Sequence, residues 1–187
     1  MRIIAGELKG RRLEVVDGRG LRPTPERVRE ALFSILADRP TGARVLDAYA
    51  GSGALGFEAL SRGARHVIFV DSSRSAVRAL QRGQSDLGCL DRSRVIEGDV
   101  VRLLHRGALA GPFDLVLADP PYGTGEHGRF LEALGRHRPV VPGGLLILED
   151  ETRKNQTADP DPPGFSHFRR AVYGGTALNF YEALDMG

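Results

Sequence analysis

A single cysteine, Cys89, stands in 187 residues, which excludes an internal disulfide and a cysteine-held metal cluster. It reads as a small filler at a helix end. The histidines, His66, His105, His127, His137 and His167, are scattered, so no ligand spacing points to a metal. No apolar run approaches the roughly 20 residues of a membrane-spanning helix, and the opening Met1-Arg2-Ile3-Ile4-Ala5-Gly6 lacks the apolar core of a signal peptide. A cytoplasmic location is expected. Lysine is nearly missing too: Lys9 and Lys154 are the two lysines among 26 basic residues. Guanidinium forks suit phosphate, although biased codon usage would produce the same count. The length admits one well-buried domain, not a cofactor domain with a separate substrate domain.

What is present is ordinary for a globular protein, with 41% hydrophobic and 27% charged residues. Net charge is +2, but residues 1 to 29 hold eight Arg/Lys against four Asp/Glu, so the positive charge sits at the front. There "MRIIAG" and "RRLEVV" read as short strands of a hairpin-like appendage over residues 1–22, ahead of a main domain over 23–187. Thr24 and Pro25 supply an N-cap and a first-turn proline. Val28, Ala31, Leu32, Ile35 and Leu36 then follow at helical spacing, predicting one amphipathic helix that ends near Pro40.

From Arg44 short apolar strands alternate with helices. The strands are "RVLDAYA", "HVIFVD", "RVIEGD", "FDLVLADPP" and "GGLLILED"; the helices are Ala54 to Ser61, Ser75 to Leu87, Val100 to Leu104 and Arg129 to Arg138. This alternation predicts an α/β fold, a parallel sheet with helices on both faces. "DETRKNQTADPDPPG" is a polar, proline-rich loop. "FSHFRRAVY" and "TALNFYEAL" follow as two antiparallel strands joined through Gly174-Gly175.

Ligands of such sheets sit beyond the carboxyl ends of the strands. The first loop, Gly51-Ser52-Gly53-Ala54-Leu55-Gly56, has the G-x-G-x-x-G spacing, and Asp71 follows Gly51 by 20 residues, as in dinucleotide-binding folds. Four strand-end acids surround it: Asp47, Asp71, Asp99 and Asp119. Asp47, four residues before Gly51, opposes a pyrophosphate by roughly several kcal/mol in a partly dry cleft. It favours a cationic ligand such as S-adenosylmethionine. Asp71 suits ribose hydroxyls under either reading. Asp99 serves equally as an acceptor for the adenine amine or as the N-cap of the next helix.

Asp119-Pro120-Pro121-Tyr122 follows the fourth strand. Consecutive prolines stiffen the turn, so the Asp119 carboxylate and the Pro120 carbonyl are able to face one exocyclic amine as two fixed acceptors. Holding both N–H groups aims the nitrogen lone pair, and Tyr122 would stack on a planar base. Cytosine C5 chemistry is disfavoured, because Cys89 lacks the position and the Pro-Cys setting of that nucleophile.

These features in this order resemble the seven-stranded, Rossmann-like class I S-adenosylmethionine-dependent methyltransferases. The Asp-Pro-Pro-Tyr turn resembles the [DNS]-P-P-[YFW] signature of those acting on planar nitrogens. "RIIAGELKGRRLEVV", "GLRPTPERVREALFSIL", the glycine loop with "GFEALSRGA", the D-P-P-Y turn and "YGGTALNFYE" together closely resemble the ribosomal RNA guanine-N2 methyltransferase family acting on guanine 966 of 16S rRNA. Only residues 151–164 look idiosyncratic.

The resemblance implies a catalytic Asp119, Pro120, Pro121 and Tyr122, and S-adenosylmethionine held by Asp47, Ala50, Gly51, Gly53, Asp71, Ser72, Asp99 and Val100. Arg2, Lys9, Arg11, Arg12, Arg22, Arg27 and Arg29 would contact RNA phosphates. The partner implied is 16S rRNA in the small ribosomal subunit or its assembly intermediate, with the target guanine splayed out. A monomer without metal is expected. The D-P-P-Y turn alone also allows a DNA or protein amine methyltransferase, which the lack of an inserted recognition domain weakens. A non-catalytic nucleotide-binding module is the third reading.

Overall fold

Strands that are apolar at successive positions need cover on both faces, and residues 44–151 supply it. The computed structural model describes residues 1–14, 24–109, 111–121, 124–152 and 161–185. In chain order the elements are α1 (Glu26–Leu36), β1 (Arg44–Ala48), α2 (Ala54–Ser61), β2 (His66–Asp71), α3 (Arg74–Leu87), β3 (Ser93–Glu97), α4 (Val100–His105), β4 (Phe113–Ala118), α5 (Glu126–His137), β5 (Val140–Glu151), β6 (Phe165–Tyr173) and β7 (Thr176–Ala183). One sheet holds all seven strands in the order β3-β2-β1-β4-β5-β7-β6. The first five run parallel, and β7 lies antiparallel between β5 and β6. Strand order reverses between β1 and β4, which puts the ligand crevice beyond their carboxyl ends.

Alternation along the strands divides the core. Val45, Leu115, Leu117, Leu145 and Ile147 face a first cluster with Leu32 and Phe33 of α1, Phe57 and Leu60 of α2 and Leu80 of α3. Leu46, Val116, Ala118, Leu146 and Leu148 face a second, closed by Val101 and Leu104 of α4 and Phe130 and Leu134 of α5. Cys89 is wholly buried in the first cluster, and burial pushes its thiol pKa up, away from reactivity. Among the described residues no helix is long and apolar enough to cross a membrane.

The front segment pairs with itself: Ile3 N–H donates to Arg11 O at 3.0 Å and Leu13 N–H to Met1 O at 2.9 Å, around an antiparallel bridge of Arg2 with Arg12. Residues 15–22 of the expected hairpin lie outside the described residues. Ile3 and Leu13 are buried in the first cluster, so the segment shares the core of the sheet.

Glu58, fully buried on α2, holds the segment there. It accepts the N–H of Ile4 at 2.8 Å and of Ala5 at 3.1 Å, and is paired with Arg62 Nε at 2.8 Å. One turn on, Ser61 accepts Leu8 N–H at 2.9 Å through Oγ and Glu7 N–H at 2.8 Å through its carbonyl. Gly6 passes so close that a Cβ there would lie 1.8 Å from Ser61 O.

Helix α1 differs from expectation at both ends. Pro25, not Thr24, occupies the N-cap position, with no side-chain cap bond. Thr24 is buried instead, and its hydroxyl donates to Glu149 at 2.8 Å. The helix stops at Leu36, before Pro40, where Ala37 takes φ 49°.

Bonds from backbone N–H groups to a buried carboxylate contribute about 1.5–3 kcal/mol each. Glu58→Ala is therefore expected to lower unfolding free energy by about 3–5 kcal/mol, as for other broken buried ion pairs. Urea denaturation measures it, and a loss below about 1 kcal/mol would contradict the tether.

Candidate active site

The glycine loop leaves β1 under tight constraint. Asp47, 2% exposed, accepts Gly56 N–H through Oδ2 at 2.8 Å and so pins the first turn of α2 to the strand. A Cβ on Gly56 would stand 2.3 Å from the Phe69 ring and 2.8 Å from that carboxylate. One on Gly53 would stand 2.6 Å from both Leu80 and Phe57. Internal packing thus demands both glycines. Gly51 differs: it has φ 55° and nothing within 4 Å of a built Cβ. Of the three, Gly51 is the position where a ligand has room against bare backbone.

Asp71 ties this loop to the one after β2. Its Oδ2 accepts Gly51 N–H and its Oδ1 accepts Ser73 N–H, both at 2.8 Å. Each oxygen keeps a further lone pair for a hydroxyl. Ser72 is exposed next to it, and Ala50 is buried at the loop entrance, its N–H on Val70 O at 2.9 Å. Asp99 caps α4 through Oδ1, accepting Arg102 N–H at 2.9 Å, ahead of the buried Val100. The capping half of its two readings is realised, and Oδ2 accepts no hydrogen bond among the described residues.

Burial pushes the Asp47 carboxyl well above the usual carboxylate range, and the charges of Asp71 and Asp119 push it further. The three acids therefore share one electrostatic neighbourhood. Asp119 lies directly after β4, half-buried; Pro120 is buried and Pro121 exposed. The Pro121 carbonyl accepts the Thr124 hydroxyl at 2.9 Å, which fastens the turn. Tyr122, expected as the stacking residue, lies outside the described residues.

Two groups here escaped the sequence reading. Glu149 on β5 is 4% exposed, and its pKa is pushed up to about 8, first by burial and then by the charge of Asp119, with the Thr24 hydrogen bond opposing. Its signal was an acid closing the apolar run "LLIL". Tyr49 takes φ 59°, rare for a residue with a side chain, and its hydroxyl donates to Glu126 at 2.9 Å. Its ring stands edge-on to Phe130 at 5.4 Å, so the strained residue clamps the start of α5 beside the glycine loop.

The basic set divides. Arg2, Lys9, Arg11, Arg12 and Arg27 are exposed, with Arg11 also donating to Asp86 O. Arg22 lies outside the described residues. Arg29 is a correction: it is 0% exposed and points inward, donating to Arg2 O at 2.6 Å with Glu58 at 4.0 Å. Leu32, Phe33 and Leu36 follow it at i+3, i+4 and i+7, which puts it on the buried side of α1, so it braces the front segment. Two acids of that segment are neutralised from elsewhere, Glu14 by Arg82 at 2.7 Å and Glu7 by Arg92. The exposed cations thereby dominate its surface.

Known proteins are similar to this chain over most or all of its length. The ribosomal RNA small subunit methyltransferase D of Escherichia coli (strain K12) is 34% identical over 187 residues, covering 100% of this chain and 92% of that one. The protein of the same name from Haemophilus influenzae is 36% identical over 155 residues, covering 82% and 80%. The solved structure of the Escherichia coli protein yhhF, 34% identical, superposes with a TM-score of 0.88 over 98% of both chains. Residues 1–182 match the family described as conserved hypothetical protein 95, and the chain, an α/β protein of class I methyltransferase fold, belongs to that family.

Proposed function

We propose that the chain methylates the exocyclic N2 of a guanine in 16S rRNA, position 966 by resemblance, using S-adenosylmethionine. The observation that carries the reading is the Asp119-Pro120-Pro121 turn after β4, at the point where strand order reverses and within electrostatic reach of Asp47. The names of the relatives, ribosomal RNA small subunit methyltransferase D, support the substrate class. The acids fit the cofactor on charge. A cation relieves the crowding of Asp47, Asp71 and Asp119, whereas a pyrophosphate would aggravate it.

When bound, the cofactor supplies an electrophilic methyl carbon on sulfur. Asp71 is placed for ribose hydroxyls, Asp99 Oδ2 for the adenine amine, and the bare Gly51 backbone for close approach. The protein's own chemistry lies in the turn. The Asp119 carboxylate and the Pro120 carbonyl accept the two amine N–H groups, which turns the nitrogen lone pair out of conjugation and towards the methyl carbon. Transfer would form the N–C bond as the methyl carbon's bond to sulfur breaks and a neutral thioether leaves; the nitrogen would then release one proton, for which Asp119 is placed as the acceptor. Arg2, Lys9, Arg12 and Arg27 hold the RNA by its phosphates without reading sequence. Recognition then rests on the shape of the folded RNA, with the target guanine splayed into the crevice. Such a substrate places the enzyme in the cytoplasm.

Incubation with labelled S-adenosylmethionine and undermethylated small subunits is expected to label guanine in 16S rRNA; label confined to DNA or protein would refute the assignment. Asp119→Ala is expected to keep cofactor affinity by calorimetry within about threefold while transfer falls by a factor on the order of 10²–10⁴. Equal loss of both would make Asp119 a cofactor residue. Replacing Arg2 and Arg12 by Ala is expected to flatten the slope of log affinity against log salt by about 0.7–0.9 for each phosphate no longer neutralised, and an unchanged slope would remove them from the RNA surface.

A further inference from the structure

Glu149 has no part in the reaction as proposed, and a carboxylate this buried costs several kcal/mol unless something compensates it. Its position is specific. Ala118 of β4 and Leu148 of β5 are register partners, so Asp119, directly after β4, and Glu149 of β5 come next side by side. Strand alternation turns both towards the side of the first cluster, the side on which Asp47 lies under α2. The charge of Asp119 acts on Glu149 and on Asp47 alike. Three adjacent central strands thus present a row of acids, with Asp119 in the middle. Thr24, from the entry to α1, donates to Glu149 Oε2 at 2.8 Å. Oε1 accepts no hydrogen bond among the described residues.

The chemistry of the bases says what a second acceptor next to the amine site would select. In guanine the ring nitrogen beside the exocyclic amine carries a proton, so N1–H and N2–H are two donors side by side. In adenine and cytosine the ring nitrogen beside the amine is an unprotonated acceptor, which a carboxylate repels. We propose that Glu149, held by Thr24, is a specificity-determining residue for the target base, accepting the guanine N1–H while Asp119 and Pro120 hold the amine. This rests on the guanine-N2 reading above. Asp119 selects an amine; Glu149 selects which amine. A site built to hydrogen-bond one group rejects an analogue lacking it by as much as about 10⁴–10⁵.

The test is run at about pH 9, above the pKa of about 8 to which Glu149 is pushed, so that the group is the ionised acceptor; it uses small subunits reconstituted with 16S rRNA carrying either guanine or 2-aminopurine at the target. The latter keeps the N2 amine but has an acceptor at N1. The wild-type enzyme is expected to prefer guanine in kcat/KM by about 10² or more. Glu149→Gln offers an amide donor to the acceptor N1, and is expected to narrow that ratio at least about tenfold, whatever its effect on overall rate. Thr24→Val is expected to narrow it in the same direction, and Thr24→Ser to restore it. A ratio that stays put while both rates fall together would make Glu149 purely structural and overturn the proposal. Wild-type enzyme that leaves guanine N2 unmodified would instead overturn the guanine reading itself, an outcome visible before any variant is made.

Discussion

The hydrogen bond from Gly56 N–H to the buried Asp47 carboxylate is the constraint on which the rest of the site depends. It joins the end of β1 to the first turn of α2 and fixes the path of the loop between them. That loop then presents Gly51 N–H to Asp71, which ties β1 to β2 in turn. The Phe69 ring and the bonded carboxylate leave no space for a side chain at residue 56. Its cost is a carboxylate removed from water with two more acids in range. Such an arrangement is poorly balanced in the free protein and better balanced when a cation arrives. The structural role and the proposed preference for a cationic ligand come from the same side chain.

A second carboxylate, Glu58, does for the N-terminal segment what Asp47 does for the loop. By accepting two successive backbone N–H groups, it converts a glycine-rich, basic stretch into part of the fold. Arg29, read from sequence as a phosphate contact, serves the same end. Arg29 of α1 bonds that segment through Arg2 O, and Thr24, just ahead of α1, bonds Glu149. The surface proposed to hold RNA and the pocket proposed to hold the base are therefore mechanically one piece.

Secondary structure was legible because period and punctuation agreed. The helix over Ala54 to Ser61 and the strand "HVIFVD" match to the residue. The turn through Gly174-Gly175 joins β6 to β7 as read. Element ends were less legible. A Thr-Pro pair before a helix admits either residue as the cap, and a partner 125 residues away decided for Pro25. The three loop glycines looked alike in sequence, yet two are required by Phe57, Leu80, Phe69 and Asp47, and one faces open space.

Sequence by itself determined the α/β alternation, the strand-end acids, the prolines of the Asp119 turn and the charge imbalance at the front. These are local properties, written in the order and spacing of residues. Tertiary structure alone decided which charges face water and which face one another. Arg29 and Glu58 became internal, and Glu149 came to stand next to Asp119. The physical reason is that burial and electrostatic coupling depend on sheet order and register, which place β1, β4 and β5 side by side although long stretches of chain separate them.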